Sequence, residues 1–172
     1  MEEIKKQFKG RKGDRRDRSD RSAEEKEFDN VILDLARVTR VTKGGKRMRF
    51  RAAVIVGDRK GRVGFGIAKG ADVAMAVSKA TRLGKKDLFK VILEKTTIPH
   101  WVKAKEKAAR VLLKPAPSGS GIIAGGAMRV VLELAGVPDI VGKMLGANNK
   151  VNNARATIKA LKSLKPRAMN KK

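Results

Sequence analysis

The sequence contains no cysteine and no tyrosine, and it has one tryptophan and one histidine among 172 residues. Without cysteine the chain forms no disulfide and no thiolate metal site, and a single histidine, His100, excludes a cluster of histidine ligands. The aromatic content of 3% argues against a surface that stacks successive bases on aromatic rings. Apolar runs are also short, because no segment reaches the roughly 18 apolar residues of a membrane-spanning helix.

Acidic residues are scarce, since 17 aspartates and glutamates stand against 42 lysines and arginines, for a net charge of +25. The first 30 residues hold ten basic and nine acidic side chains, and the remaining 142 hold 32 basic and 8 acidic ones. A folded body this cationic repels itself unless a polyanion neutralises it. Nucleic acid is the polyanion that such a composition predicts.

Residues 1–27 alternate charges densely and carry two large apolar side chains, Ile4 and Phe8. This segment cannot bury enough surface to offset its ordering entropy, so we expect a disordered charged arm. The arm either settles on RNA or serves as a solvated spacer. The first residues also lack the apolar core of a signal peptide, so we expect a cytoplasmic protein with no membrane contact.

Residues 28–93 predict a module of three strands and one helix. The β-branched run over 31–41 predicts a strand, and the glycines within 43–46 predict a hairpin turn. The next strand alternates apolar and cationic positions, which predicts one buried face and one cationic face. The apolar positions are Met48, Phe50, Ala52, Val54 and Val56, and the cationic ones are Arg47, Arg49 and Arg51. A third strand follows with Val63, Phe65 and Ile67, and then a helix over 73–83 that Asp72 caps and Gly84 ends.

Residues 94–106 are predicted to form a connector, because Pro99 interrupts any regular element. A β-α-β-α module is predicted over 107–165, and a basic tail over 166–172. The strands of this second module are expected at 108–114 and 139–145, with a helix over 127–135 and a last helix capped by Asn148 or Asn149. The expected fold class is therefore α+β, with two small α/β modules and a disordered N-terminal arm.

The hairpin over residues 43–51 is the strongest local candidate for RNA contact, because it carries five lysines and arginines and no acid. Its glycine tip lets the ribbon approach a phosphate backbone closely. The alternative is an exposed strand face whose charges prevent aggregation. The candidate residues of this hairpin are Lys43, Gly44, Gly45, Lys46, Arg47, Arg49 and Arg51.

A glycine-rich loop over residues 118–126 precedes the helix predicted at 127–135. Free backbone N–H groups and the positive end of a helix dipole make such a junction a candidate anion site. The P-loop pattern is absent, so the choice lies between a phosphate or protein contact and a plain turn. The candidate residues are Ser118, Gly119, Ser120, Gly121, Gly125, Gly126 and Arg129.

Nothing in the sequence supports catalysis. The eight acids after residue 30 are scattered, without a close pair or a metal-ligand spacing. We therefore expect no enzymatic activity, no cofactor, no metal and no small-molecule substrate. Trp101 is expected to be a packed anchor rather than a base stacker, and His100 to pack between the modules or to face solvent.

Several runs match a known pattern in order. They are KGGKRMRFRA at 43–52, VGDRKGRVGFG at 56–66, VLLKPAP at 111–117, GSGIIAGGAMR at 119–129 and NNARAT at 152–157. Together they strongly resemble the bacterial-type family of the fifth small-subunit ribosomal protein. The resemblance implies a double-stranded-RNA-binding-like first module and a second α/β module that several nucleic-acid proteins and kinases share.

The resemblance also implies a structural role in the small ribosomal subunit, in contact with 16S ribosomal RNA and neighbouring ribosomal proteins. It places the protein near the messenger RNA path, with an influence on assembly and accuracy. Gly121 and Arg129 match the region that meets a neighbouring protein. The hairpin carrying Lys43 to Arg47 matches the family's RNA-contacting tip. The full candidate set for ribosomal RNA binding is the hairpin set above together with Arg62, Arg155 and Lys159.

Two alternatives remain. One is a small-molecule kinase-like enzyme that uses the loop over residues 118–126 as a phosphate cradle. The other is a free-standing binder of double-stranded RNA.

Overall fold

A computed structural model of the chain describes residues 28–166. The arm predicted over 1–27 and the predicted tail after residue 166 lie outside the described residues. The strands and helices within residues 28–166 are β1 (Asp29–Thr42), β2 (Gly45–Gly57), β3 (Arg62–Gly70), α1 (Val73–Lys86), β4 (Phe89–Lys90), β5 (Val102–Glu106), β6 (Ala109–Pro115), β7 (Ile122–Ile123), α2 (Gly126–Ala135), β8 (Ile140–Met144) and α3 (Lys150–Lys162).

The first module is an antiparallel sheet in the order β1-β2-β3-β4, with α1 on one face. Thr42 pairs with Gly45, so the loop between β1 and β2 has two residues, as a tight hairpin requires. Asp72 stands at the N-cap of α1, although its side chain makes no capping hydrogen bond. The predicted meander of three strands and a helix is confirmed, and β4 adds a short fourth strand.

Gly84 does not end α1, which continues through it to Lys86. A Cβ on Gly84 would lie 2.9 Å from Cγ2 of Val56, and a Cβ on Gly66 of β3 would lie 1.9 Å from the carbonyl oxygen of Ala80. These glycines therefore let the helix backbone lie directly on the strands. The expectation that Gly84 is a stop signal was wrong because tertiary packing, not capping, requires a glycine there.

The second module is a mixed sheet in the order β5-β6-β8-β7, in which β7 runs parallel to β8 and the other pairs are antiparallel. The helices α2 and α3 cover one face of it. The segment predicted as a connector contains β5, which pairs with β6 from Val102 to Glu106. Asn149 is the N-cap of α3, and its side chain accepts a hydrogen bond from the backbone N–H of Asn152.

One hydrophobic core runs through both modules. Ile55 and Val63 of the first sheet belong to the same buried cluster as Met128 and Leu132 of α2 and Leu161 of α3. Burying each such side chain stabilises the fold by roughly 1.5–3 kcal/mol. The two modules are therefore packed as one body, although each has its own sheet.

β2 contributes to this core with both faces. One face, with Ala52, Val54 and Val56, packs under α1, and the other, with Ile55, packs against the second module. The cationic face that the alternation predicts is therefore confined to the first half of the strand, and in the second half both faces are buried. Met48, expected in the core, is 49% exposed and lines an open hollow beside Met75 and Lys79 of α1.

A backbone contact joins the modules at the turn after β2. The N–H of Arg59 donates a 3.0 Å hydrogen bond to the carbonyl oxygen of Leu134 near the end of α2. Gly136 then ends α2 in a left-handed conformation with φ of 71°. A Cβ on Gly136 would lie 2.0 Å from the carbonyl oxygen of Arg59, so this contact needs a residue without a side chain.

Candidate nucleic-acid interface

Five cations share one face of the first sheet near the hairpin tip. Arg47, Arg49 and Arg51 alternate along β2, and the register places Arg40 opposite Arg47 and Lys69 opposite Arg51. We call these five residues the hairpin face. Directly opposite residues have Cβ atoms about 4.5–5.5 Å apart, and like charges at that distance repel each other. An anion bound on this face relieves that repulsion.

The hairpin face is concave. A hollow of about 300 Å³ lies between β1, β2 and β3, and its lining consists of Val38, Thr39, Arg40, Arg47, Arg49 and Lys69. The tip itself, residues 43–46, is exposed, and a Cβ on Gly44 or Gly45 would meet no atom within 4 Å. A phosphate backbone can therefore reach both the tip and the hollow without displacing protein atoms.

Arg51 differs from its two neighbours on the strand. Its guanidinium lies 3.2 Å from Oδ2 of Asp34, and the two side chains are 38% and 27% exposed. Asp34 lies opposite Ala53, where the hairpin face meets the core between the modules. Arg51 therefore holds β1 against β2, whereas Arg47 and Arg49 point their charge to solvent.

Arg62 is also engaged inside the protein. Its Nε lies 2.6 Å from Oδ2 of Asp58, and its guanidinium stacks 4.9 Å from the ring centroid of Phe28. Burial raises the pKa of Asp58, but hydrogen bonds from the Arg62 side chain and from the backbone N–H groups of Arg62 and Lys60 outweigh it, so the pKa is lowered. Arg62 thus stabilises the turn after β2.

Arg155 and Lys159 of α3 lie away from the hairpin tip. Arg155 is 5.7 Å from the ring of Phe65, which pairs with Ile55 in β2. Ile55 and Arg47 are eight residues apart on β2, roughly 26 Å at the rise of a strand. Lys159 binds the carbonyl oxygen of Lys105 at 3.2 Å and the carboxylate of Glu106 at 3.4 Å. The structure therefore does not bring these two residues together with the hairpin set.

The loop over residues 118–126 folds around a buried carboxylate that sequence reasoning missed. Asp139 is 4% exposed, and its Oδ1 accepts a 2.9 Å hydrogen bond from the backbone N–H of Gly121. That bond lowers the pKa of Asp139; burial opposes it, and the Thr96 side chain and the backbone N–H groups of Gly119 and Ser120 add to the lowering. The signal in the sequence was one acid in an otherwise apolar run over 137–141.

This arrangement argues against a phosphate cradle. The backbone N–H of Gly121 donates to the protein's own Asp139 carboxylate and that of Ser120 donates to the carbonyl oxygen of Pro117, so neither is free to hold a phosphate. Gly125 is the N-cap of α2, and a Cβ there would lie 2.4 Å from Cε of Met144. The kinase-like alternative is not favoured.

The outer side of the same loop is open. A Cβ on Gly119, Gly121 or Gly126 would meet no atom within 4 Å, and Ser118 is exposed. Ser120 donates a 2.8 Å hydrogen bond to the carbonyl oxygen of Pro117. Arg129 lies one turn into α2 and forms a 2.8 Å ion pair with Glu133. The loop therefore offers a firmly held backbone surface to a partner.

The structure of residues 28–166 also bears on metal binding, membrane spanning and the position of Trp101. In that range no group of three or more histidine, aspartate or glutamate side chains is placed to hold a metal ion. None of the helices described there is long and apolar enough to cross a membrane. Trp101 is 60% exposed, so the expectation of a packed anchor was wrong. It lies directly before β5, on the open side of the second sheet.

Two sheet-and-helix modules with a concave cationic strand face define an α+β protein suited to bind a polyanion. Residues 28–92 match the ribosomal protein S5 N-terminal domain, and residues 104–171 match the ribosomal protein S5 C-terminal domain. A Campylobacter jejuni protein named small ribosomal subunit protein uS5 is 52% identical over 139 residues, which cover 81% of this chain and 95% of that protein.

The chain therefore belongs to the ribosomal protein S5 family. The resemblance carried by the five motif runs is confirmed, as is the α+β fold of two small modules. Family membership makes it a structural, non-enzymatic ribosomal protein, and neither the kinase-like enzyme nor the free-standing RNA binder is favoured.

Proposed function

We propose that this protein is an architectural component of the small ribosomal subunit that binds 16S ribosomal RNA through the hairpin tip and the hairpin face. The observation that supports this proposal is the set of five cations on one concave strand face. Asp34 neutralises Arg51 at the border of this face. Arg40, Arg47, Arg49 and Lys69 remain exposed and line the hollow.

The sheet fixes the geometry of these charges. Pairing to β1 and β3 and the buried half of β2 hold the arginine backbone rigid, so little order has to be gained on binding. Each phosphate that a lysine or arginine neutralises releases counterions and steepens the salt dependence of binding by about 0.9 in the log–log slope for a duplex. Double-stranded RNA is recognised mostly through its shape, phosphates and 2′-hydroxyls, which suits a rigid cationic ribbon without aromatic side chains.

The loop over residues 118–126 belongs to the same proposal as the contact to a neighbouring ribosomal protein. Gly121 and Arg129 match the family region for that contact, and the open outer side of the loop supports it. A position near the messenger RNA path, with an influence on decoding accuracy, also follows from the resemblance and is part of this proposal. Misreading of a reporter by ribosomes carrying Arg129→Glu tests this part, and unchanged misreading would count against it.

The decisive experiment replaces Arg47 and Arg49 with glutamine and measures binding to transcribed 16S ribosomal RNA over a range of salt concentrations. We expect the affinity to fall and the log–log slope to decrease by roughly 2, one unit for each lost phosphate contact. The matched control is Lys60→Gln with Lys86→Gln, two exposed lysines outside the hairpin face. Equal slopes for the two variants would refute the proposed interface.

A further inference from the structure

The second module has an open sheet face of its own. The helices α2 and α3 cover the inner side, where Ala109, Val111 and Leu113 of β6 are buried. The alternate positions of the same strands face away from the helices. We call them the outer sheet face, and they are Trp101, Lys103, Lys105, Arg110, Leu112, Lys114, Ile123, Val141, Lys143 and Leu145.

The outer sheet face combines cationic side chains with apolar or aromatic ones and has no acidic side chain. Half of its ten members are lysine or arginine, the other half are apolar or aromatic, and none is acidic. Glu106, the acid of β5, lies on the opposite face of the strand and forms an ion pair with Lys159 of α3. Asp139, next to β8, is buried under the loop. The cations of the outer sheet face therefore have no carboxylate of their own strands beside them.

The register arranges these side chains in rows across the sheet. Lys105 lies opposite Arg110, and Leu145 continues that row through a 2.8 Å hydrogen bond to the carbonyl oxygen of Arg110. The next row joins Lys103, Leu112 and Lys143. A hollow of about 330 Å³ lies over the first row, lined by Lys103, Ala104, Lys105, Arg110, Val111 and Leu145. Cations thus surround a shallow apolar floor.

Trp101 stands at the open end of this surface. It directly precedes β5, two residues before Lys103 and therefore on the same side of the sheet, and 60% of it is exposed. An exposed tryptophan beside a lysine-rich sheet can stack against an unpaired base while the lysines bind the backbone. Elsewhere in the described part of the chain no other tryptophan or tyrosine could take this role, since the whole sequence has one tryptophan and no tyrosine.

We propose that the outer sheet face is a second RNA-binding surface, which holds an RNA backbone along its five cations and an unpaired base on Trp101. This inference rests on the proposed ribosomal role and extends it to a surface separate from the hairpin face. The two surfaces lie on different sheets, one at the hairpin tip of the first module and the other on the uncovered side of the second.

Charge composition favours RNA over a protein as the occupant. The centres of protein–protein interfaces are depleted in charged residues, and lysine is rare there. Interfaces with nucleic acid are much more positively charged. Four of the five cations on the outer sheet face are lysines, which bind phosphate as compact point charges. The apolar floor is small and interrupted by these lysines, so it does not form a continuous patch for a protein.

The experiment uses the full chain, transcribed 16S ribosomal RNA and the intrinsic fluorescence of Trp101. A triple variant, Lys103→Gln with Lys105→Gln and Lys143→Gln, removes three cations of the outer sheet face. Its matched control removes three exposed lysines elsewhere, through Lys60→Gln, Lys86→Gln and Lys90→Gln. Circular dichroism verifies that both variants are folded. We expect the triple variant to lose about ten- to a hundredfold in affinity and about 2 to 3 in salt slope, because three phosphate contacts are lost.

Trp101 supplies a second, independent readout. We expect its emission to change when RNA binds, and Trp101→Ala to weaken binding by about five- to a hundredfold, the range for one stacked base. Affinity and salt slope equal to those of the control, or an unchanged tryptophan emission at saturating RNA, would overturn the proposal. So would a triple variant that binds RNA like the control but no longer joins particles reconstituted with the other small-subunit proteins, because the face would then contact protein.

The same series separates this inference from the proposed function. The Arg47→Gln, Arg49→Gln variant tests the hairpin face alone. If that variant loses salt-dependent binding and the outer triple variant does not, the proposed function stands and the second surface is refuted. If neither variant differs from its control, both are refuted.

Discussion

The backbone N–H of Gly121 donates a 2.9 Å hydrogen bond to Oδ1 of Asp139, a carboxylate that is 4% exposed. The contact links the glycine-rich loop to the residue before β8, 18 positions later in the chain. The Thr96 side chain and the backbone N–H groups of Gly119 and Ser120 also contribute to lowering the pKa of Asp139. The Asp139 side chain therefore ties the loop that we propose as a protein contact to the start of β8.

Replacing Asp139 with alanine should loosen this loop, because the part-buried backbone N–H of Gly121 would lose its hydrogen-bond acceptor. We expect the melting temperature to fall by about 5 °C or more, and the amides of Gly119, Ser120 and Gly121 to exchange with solvent much faster. Hydrogen exchange measured by NMR gives both the site and the size of the change. Asp139→Asn, which keeps one acceptor oxygen, should lose less, and equal exchange rates in the three proteins would contradict this role.

The stability of the protein should fall at acid pH. The pKa values of Asp58 and Asp139 are lowered in the folded state from the ordinary value of 3.8. Their contribution is therefore fully present above the unfolded-state value and is lost as the pH falls through the folded-state values. Urea denaturation should show a plateau above about pH 5 and a decline below about pH 4. The decline should be shallower for Asp58→Asn, and a variant with an unchanged profile would show that Asp58 does not contribute.

Gly66→Ala should displace α1 from the sheet. Its Cβ would lie 1.9 Å from the carbonyl oxygen of Ala80, and neither backbone can move without breaking a strand or a helix. We expect a loss of about 1–3 kcal/mol, or more, in the free energy of unfolding. Gly44→Ala is the matched control, because a Cβ there meets nothing within 4 Å; it should change stability by less than about 0.5 kcal/mol. Chemical denaturation of both variants measures the difference.

Substitutions at Arg51 and Arg47 should affect different properties, the first the stability of the protein and the second its binding to RNA. Arg51→Ala removes the partner of Asp34 at a half-buried position, and we expect a modest loss of about 0.5–1 kcal/mol because solvent screens part of the pair. Arg47→Ala should not lower the free energy of unfolding, because it relieves the repulsion with Arg40, and it should weaken RNA binding. Denaturation and RNA titration of the two variants test this, and a double-mutant cycle with Asp34→Ala isolates the ion pair. A coupling energy near zero would show that the pair has no structural role.

Much of the fold could be predicted from local patterns. Alternation in β2 placed Arg47 and Arg49 on one face and Val54 and Val56 on the other, since a strand has a period of two whatever it packs against. Asn149 was among the predicted caps of α3. The order of the motifs over residues 43–66 and 111–129 is sufficient to indicate the family.

The misses concern contacts between distant segments. Gly84 looked like a helix stop because its packing partner, Val56, lies 28 positions earlier in the chain. The second buried face of β2 depends on Ile55 meeting α2, which no pattern within the first module reveals. Asp139 stands out as one acid in an apolar run, but its partner could not be predicted, because the backbone donor that binds it belongs to a loop 18 positions earlier. Side-chain periodicity reports what is buried, but it does not identify the partner.

The hydrogen bond between Arg59 and Leu134 and the shared core have a mechanical consequence. Since the modules cannot swivel about a hinge at this contact, the hairpin tip and the second sheet keep a set distance. The protein is then a rigid body between the partners bound at its two ends, and a displacement of one partner is transmitted to the other through the protein. Lengthening or softening that contact would let the partners drift independently.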